Sequence, residues 1–93
     1  MTARLDEAAI ARALAGAPAW ERRGQAITRT WQFHDFRRAM AFVNRVADLA
    51  ERADHHPDID IRYATVTLTL WTHSAGGLTA KDFELARAID AAG

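Results

Sequence analysis

The sequence predicts an α+β fold: a four-stranded antiparallel sheet with three helices on one face, in the order α-β-β-α-β-β-α. Two stretches, Trp20–Phe33 and Ile59–Leu70, carry residues alternating between apolar and polar, each long enough for a pair of strands. Between them a stripe of apolar residues recurs at a helical period from Phe36 to Ala50. Helical patterns also stand at both ends of the chain, so the strands come as hairpins joined by helices.

Leu5 to Leu14 is Ala-rich and places Leu5, Ala9, Ile10 and Ala13 at roughly helical spacing, with Gly16, Ala17 and Pro18 to end the helix. Trp20 to Arg23 is a short strand followed by a turn at Gly24. From Ile27 to Phe33, Ile27, Trp31 and Phe33 share one face and Thr28, Thr30 and Gln32 the other, with Arg29 a misfit on the apolar face. Asp35 is placed to cap the next helix, whose stripe is Phe36, Ala39/Met40, Val43, Val46/Ala47 and Ala50. Arg37, Arg38, Asn44, Arg45, Asp48 and Arg52 fall on its opposite side, and Pro57 forces a stop.

Ile59, Ile61 and Tyr63 alternate with Asp60 and Arg62 as a third strand; Val66, Leu68 and Leu70 alternate with Thr65, Thr67 and Thr69 as a fourth. The link near Ala64 lacks the usual Gly or Asn, so its length is open. After Gly76-Gly77, Thr79 and Asp82 match a capping box and Leu78 with Phe83 a hydrophobic staple, opening a last helix that runs through Ile89. The Thr-rich sheet face is left to meet solvent or another subunit.

With 93 residues, the chain is expected to form a single domain, 1–93, around one modest core, and association would add to its stability. Twelve acidic and twelve basic residues balance, so no global field favours nucleic acid or anionic lipid. The absence of cysteine excludes disulfides, zinc–thiolate sites and thiol catalysis. Met1 to Leu5 lacks the apolar core of a signal peptide and no run spans a bilayer, which makes the cytoplasm the expected compartment.

Chemistry concentrates at Glu51-Arg-Ala-Asp54-His55-His56-Pro57 and, further on, at Tyr63, His73 and Asp82. If the third and fourth strands pair back to back, His73 at the end of the fourth returns near His55 and His56. Clustered imidazoles exchange protons near neutral pH, which suits general acid–base work. Glu51 sits four residues before His55, on one helix face if the helix persists, and is placed to orient that ring. Each residue also has a plain structural reading. The paired histidines can cap a helix end. His73 can be a strand-end surface residue, Asp82 the capping-box carboxylate and Glu51 a solvated helix residue. Tyr63 and Trp71 either pack the sheet or line a flat ring, and His34 reads as surface. A histidine–carboxylate metal site is the rival chemistry, but no His-Glu-x-x-His helix is present and adjacent histidines tend to diverge.

The string Glu-x3-His-His-Pro-x5-Tyr-x9-His-x8-Asp, from Glu51 to Asp82, resembles the signature of the pterin-4a-carbinolamine dehydratases. Trp31 with Phe33, Ala41-Phe42-Val43-Asn44, His55-His56-Pro57-Asp58-Ile59 and Thr72-His73-x-Ala75-Gly76-Gly77-Leu78-Thr79 are similar to that family too, so the likeness runs from about Trp20 to Ile89. Ser74 departs from it, standing where the family more often has an acidic residue.

The resemblance implies dehydration of a 4a-hydroxytetrahydropterin, the product of an aromatic amino acid hydroxylase, to quinonoid dihydropterin and water. It implies no metal and no cofactor. It further implies His55 and His73 as acid and base, His56 positioning the pterin, and Glu51 and Asp82 orienting imidazoles. Asp54, Trp71, Thr72 and Ser74 join the histidines in binding substrate. The expected assembly is a homodimer or homotetramer, without nucleic-acid or membrane partners. The alternatives are a pterin-binding or dimerisation/regulatory module on the same fold, and a role in molybdopterin-related metabolism.

Overall fold

A computed structural model describes residues 3–93. In chain order the elements are α1 (Glu7–Ala15), β1 (Glu21–Arg23), β2 (Ala26–Gln32), α2 (Phe36–Ala53), β3 (Asp58–Arg62), β4 (Thr65–Leu70), a short 3-10 turn (His73–Ala75) and α3 (Ala80–Ala92). This is the predicted α-β-β-α-β-β-α order. The four strands form one antiparallel sheet in the spatial order β1-β2-β4-β3. Two hairpins therefore meet at β2 and β4, with Ile27 opposite Leu70 and Trp31 opposite Val66. Among the described residues no helix is long and apolar enough to cross a membrane.

Alternation along β4 sorts the sheet into two faces. Val66, Leu68 and Leu70 are fully buried beneath the helices, whereas Thr65, Thr67 and Thr69 face the uncovered side. There the threonines satisfy one another and the backbone: the Thr30 and Thr67 hydroxyls meet at 2.9 Å, and Thr28 Oγ1 donates to the Leu68 carbonyl at 2.9 Å. All three helices contribute to the core on the other face, through Ile10 of α1, Phe42 and Val46 of α2, and Phe83, Leu85 and Ile89 of α3.

The caps explain where the helices begin. The Asp6 carboxylate accepts from Ala9 N–H, and the Asp35 carboxylate from Arg38 N–H. Thr79 and Asp82 form the predicted capping box at the start of α3. Within α2, Ala39, Phe42, Val43, Val46 and Ala50 are buried, so the core-facing side is rotated from the predicted stripe toward Phe42. Phe36, counted in that stripe, is half-exposed in the first turn.

Arg29 is the misfit that packing resolves. Its guanidinium donates to Asp90 at 2.6 Å and lies 4.5 Å from the Trp31 ring centre, while the Trp20 indole N–H shares the same carboxylate oxygen at 2.9 Å. The charge thus sits on an aromatic surface with a carboxylate at its head. At the other edge, Arg22 forks onto Glu7, tying β1 to α1; that side-chain hydrogen bond holds the Glu7 carboxyl below its ordinary value and raises Arg22.

Several expected boundaries shift: the first helix runs from Glu7 to Ala15 rather than from Leu5 to Leu14, and the second strand from Ala26 to Gln32 rather than from Ile27 to Phe33. The last helix extends beyond Ile89 to Ala92. The third strand stops at Arg62, because Tyr63 and Ala64 form a two-residue turn in which Tyr63 takes a left-handed φ of 51°. The fourth strand stops at Leu70, so His73 does not close it but opens the 3-10 turn.

Candidate active site

The site is assembled at the C-terminal end of α2. The helix ends three residues earlier than Pro57 alone requires, because Asp54 adopts a left-handed conformation (φ 49°, ψ 43°). Asp54 N–H donates to the Glu51 carbonyl at 3.3 Å and His55 N–H to the Ala50 carbonyl at 3.1 Å, which satisfies the last carbonyls and turns the chain sharply.

That turn sends the two histidines in opposite directions. His55 points inward, its side chain 10% exposed, and its Nε2 lies 2.5 Å from Oδ1 of the fully buried Asp82. His56 points outward and pairs with Glu51 at 2.5 Å on the exposed surface. The expected Glu51–His55 contact is therefore replaced. Helical i, i+4 geometry is lost beyond Ala53, and Glu51 reaches the next histidine instead.

Asp82 is held from three sides. Its Oδ1 faces His55, and its Oδ2 accepts from Thr79 N–H at 2.9 Å and from the Thr72 hydroxyl at 2.9 Å. Its capping role and its contact with His55 coexist, one on each oxygen. No buried side-chain nitrogen or oxygen among the described residues lacks a hydrogen-bond partner.

The opposite wall comes from the segment after β4. Thr72 bridges to Gly77 through paired backbone hydrogen bonds of 3.1 and 3.3 Å, closing a small loop. Gly76 takes a positive φ of 70° in that loop, a conformation that glycine adopts without strain. The loop holds His73 outward, stacked on Trp71 with ring centres 3.9 Å apart and planes at 28°.

Between the walls lies a cleft of about 500 Å³. Of the residues singled out from sequence, Asp54, His55, His56, Trp71, Thr72, His73 and Ser74 all line it. Glu51 and Asp82 stand behind His56 and His55 as their carboxylate partners. Among the described residues, no three histidine, aspartate or glutamate side chains are grouped to hold a metal ion. Two further placements differ from expectation. Thr72, expected to contact the ring, directs its hydroxyl into the interior, where both Asp82 and Thr79 engage it. Tyr63 sits at the far end of the β3–β4 hairpin, 71% exposed, and neither packs the sheet nor lines the cleft.

Pro57, Asp58 and Lys81 also line the cleft, where the sequence gives no expectation of a substrate contact from them. Lys81 directly precedes Asp82, and that adjacency was the available signal. Pro57 and Asp58 continue the chain from the histidine pair into β3.

Residues 3–92 match the family model described as pterin 4 alpha carbinolamine dehydratase. The chain belongs to that family. A dehydratase relative in Thermomicrobium roseum is 61% identical over 87 residues, covering 94% of each chain. One in Nocardia farcinica is 59% identical over 86 residues, covering 92% of this chain and 90% of its own. Among solved structures, a transcriptional coactivator/pterin dehydratase from Brucella melitensis superposes with a TM-score of 0.91 at 38% identity, covering 96% of this chain and 97% of that one. A pterin dehydratase-like RuBisCO assembly factor of the alpha-carboxysome shares the fold, with a TM-score of 0.68 at 23% identity over 80% of this chain and 88% of that one. Membership in the pterin dehydratase family places the His55–Asp82 pair and the Trp71–His73 stack in a chain whose relatives are named for removing water from a pterin.

Proposed function

We propose that this chain dehydrates a 4a-hydroxytetrahydropterin to the quinonoid dihydropterin by histidine acid–base catalysis, as a step in tetrahydropterin recycling downstream of an aromatic amino acid hydroxylase. In the reaction the carbon–oxygen bond at the hydroxylated ring carbon breaks and the oxygen leaves as water after gaining a proton. The neighbouring ring nitrogen loses a proton, and its electron pair forms the new double bond. Hydroxide is a poor leaving group at neutral pH, so one group must donate while another accepts.

The observation that supports this reading is the pairing of two differently held imidazoles on one cleft. His55 is anchored by a buried carboxylate, and His73 is exposed and stacked on Trp71. The flat Trp71–His73 surface suits a planar ring, and the cleft is open enough for one to enter. His55 and His73 share the acid and base roles. His56, oriented by Glu51, positions the pterin together with Asp54, Ser74 and the backbone of Thr72.

The test is stopped-flow decay of 4a-hydroxytetrahydropterin with chelator-treated protein. Each single variant, His55→Ala and His73→Ala, should lower turnover in a folded protein, and the double variant should abolish the acceleration. Wild-type turnover in both singles and in the double would remove the histidines from the mechanism.

The working form is a homo-oligomer. In support, among the described residues β3 pairs with β4 alone, leaving its outer edge open, and Ile59 on the core-facing side is 40% exposed. An antiparallel copy of β3 centred on Asp60 sets the two Asp60 residues opposite each other with Asp58 opposite Arg62 on either side, and brings Ile59 opposite Ile61 twice on the other face. A second reading, a binding or coactivator role on the same fold, has in its favour the description of the Brucella melitensis protein as a transcriptional coactivator. A folded chain that leaves pterin decay unchanged would favour it.

A further inference from the structure

We propose that the buried hydroxyls of Thr79 and Thr72 fix the tautomer of His55 through Asp82, which makes both threonines positioning residues for the dehydration. This rests on the acid–base role proposed for His55. Thr79 is fully buried and Thr72 nearly so, and their hydroxyls are engaged by each other and, for Thr72, by Asp82.

The direction of each hydrogen bond follows from counting protons. Oδ2 of Asp82 already accepts Thr79 N–H, so Thr72 Oγ1, 2.9 Å away, must donate its single proton to the same oxygen. Having donated, Thr72 can only accept at its 2.8 Å contact with Thr79 Oγ1, which makes Thr79 the donor there. Thr79 Oγ1 in turn accepts from Lys81 N–H at 3.3 Å, at the start of α3. Every proton in the row Lys81 N–H, Thr79 O–H, Thr72 O–H therefore points toward Asp82.

The consequence falls on His55. Both donors on Oδ2 bond best to the charged carboxylate and so favour its ionised form, in which Oδ1 accepts rather than donates, and the atom it faces is Nε2 at 2.5 Å. His55 is thereby held with its proton on Nε2, and Nδ1 is the nitrogen left to exchange protons. Nδ1 has no hydrogen-bond partner among the described residues, yet no buried polar atom is unpaired, so Nδ1 must reach solvent. The relay sets which nitrogen works, and the cleft decides what it meets.

The experiment uses the full chain, uniformly ¹⁵N-labelled, with long-range ¹H–¹⁵N correlation of the histidine rings, beside the stopped-flow assay. Wild type, Thr72→Ser and Thr79→Ser should show His55 as the Nε2–H tautomer. Thr72→Val should show both tautomers, and kcat should fall about 10- to 100-fold with KM changed less than about threefold, the loss usual for groups that orient a working residue. Thr79→Val, one step further back, should shift in the same direction by less. If Thr72→Val does not fold, Thr79→Val carries the same comparison. A folded valine variant that keeps the pure Nε2–H signal and wild-type kcat overturns the proposal. So does an equal loss in the serine variants, which would mean that methyl packing and not the hydroxyl is at stake. Should wild type fail to accelerate dehydration while the ring signals move as expected, the relay stands and the dehydratase reading falls.

Discussion

Asp82→Asn isolates the role of the buried carboxylate with almost no change of shape. An amide has one acceptor and one donor end where Asp82 has two acceptors, so the side chain must choose an orientation. With its oxygen at the Oδ2 position, it keeps the donations from Thr79 N–H and Thr72 O–H, both 2.9 Å away, and turns its NH₂ toward His55. The reverse orientation sets NH₂ against Thr79 N–H in a fully buried place and leaves a donor unpaired, at about 1–3 kcal/mol. The first orientation therefore dominates by roughly one to two powers of ten. His55 must then accept at Nε2 and carry its proton on Nδ1, the opposite tautomer. The expected loss in kcat is about 10²- to 10⁴-fold, the contribution of one misoriented acid–base group. The charge-assisted bonds become neutral ones, so stability should fall by about 1–2 kcal/mol. Stopped-flow decay of the 4a-hydroxypterin gives the first quantity, and urea unfolding followed by tryptophan fluorescence the second. A folded Asp82→Asn variant with kcat within about threefold of wild type refutes the reasoning, because the wrong tautomer cannot leave the proton transfer untouched.

Four other outcomes follow from the packing. Gly76→Ala should cost about 1 kcal/mol although nothing lies within 4 Å of the added carbon, because φ is +70°; Gly77→Ala should cost less although its carbon would come 2.8 Å from Arg4 Nε and 3.0 Å from Gln25 Oε1, because both side chains can swing aside. Urea midpoints at unchanged m compare the two. Asp90→Ala strands the Trp20 indole N–H and the Arg29 guanidinium together and should destabilise by about 1–3 kcal/mol, lowering Tm by about 4–8 °C per kcal/mol. Ile59→Lys should shift sedimentation toward the monomer, and unchanged sedimentation would remove β3 as the contact between copies. Because Arg22 holds the Glu7 carboxyl below its ordinary 4.5, their contact stabilises above that pH and is lost as pH falls through the lower folded value; Glu7→Gln should remove this small acid-side slope from a series of thermal melts.

Most of the fold was legible because its signals are local. Alternation in Thr65–Leu70, the capping box at Thr79 and Asp82, and the period of α2 each state a geometry that the rest of the chain does not contradict. What escaped depends on neighbours distant in sequence. Arg29 looked misplaced because Asp90, 61 residues away, and the Trp31 ring are what make its position favourable. Phe42 and Met40 both fit a helical period beside Ala39, and the approach of the sheet and α3 decides that the Phe42 side of α2 faces inward. Tyr63 was assigned to a strand because a two-residue turn without Gly or Asn gives no cue that the chain reverses there.

The site was legible as a set of residues but not as a set of pairs, and the reason lies in one backbone torsion. Spacing alone joins Glu51 to His55, and that pairing fails because Asp54 leaves the helix for the left-handed region. Most residues with a Cβ are strained there by about 1–2 kcal/mol, but Asp, with Asn, is among the few that enter the region as single residues. Asp54 holds the position, and its turn is what divides the histidines between a buried carboxylate and an exposed one. A helical Asp54 would carry the chain on for another turn and put His55 over Glu51 on the surface, with Asp82 left as a cap alone. That single left-handed torsion thus converts a repetitive helix end into two imidazoles in unlike surroundings, and unlike surroundings are what an acid and a base on one cleft require.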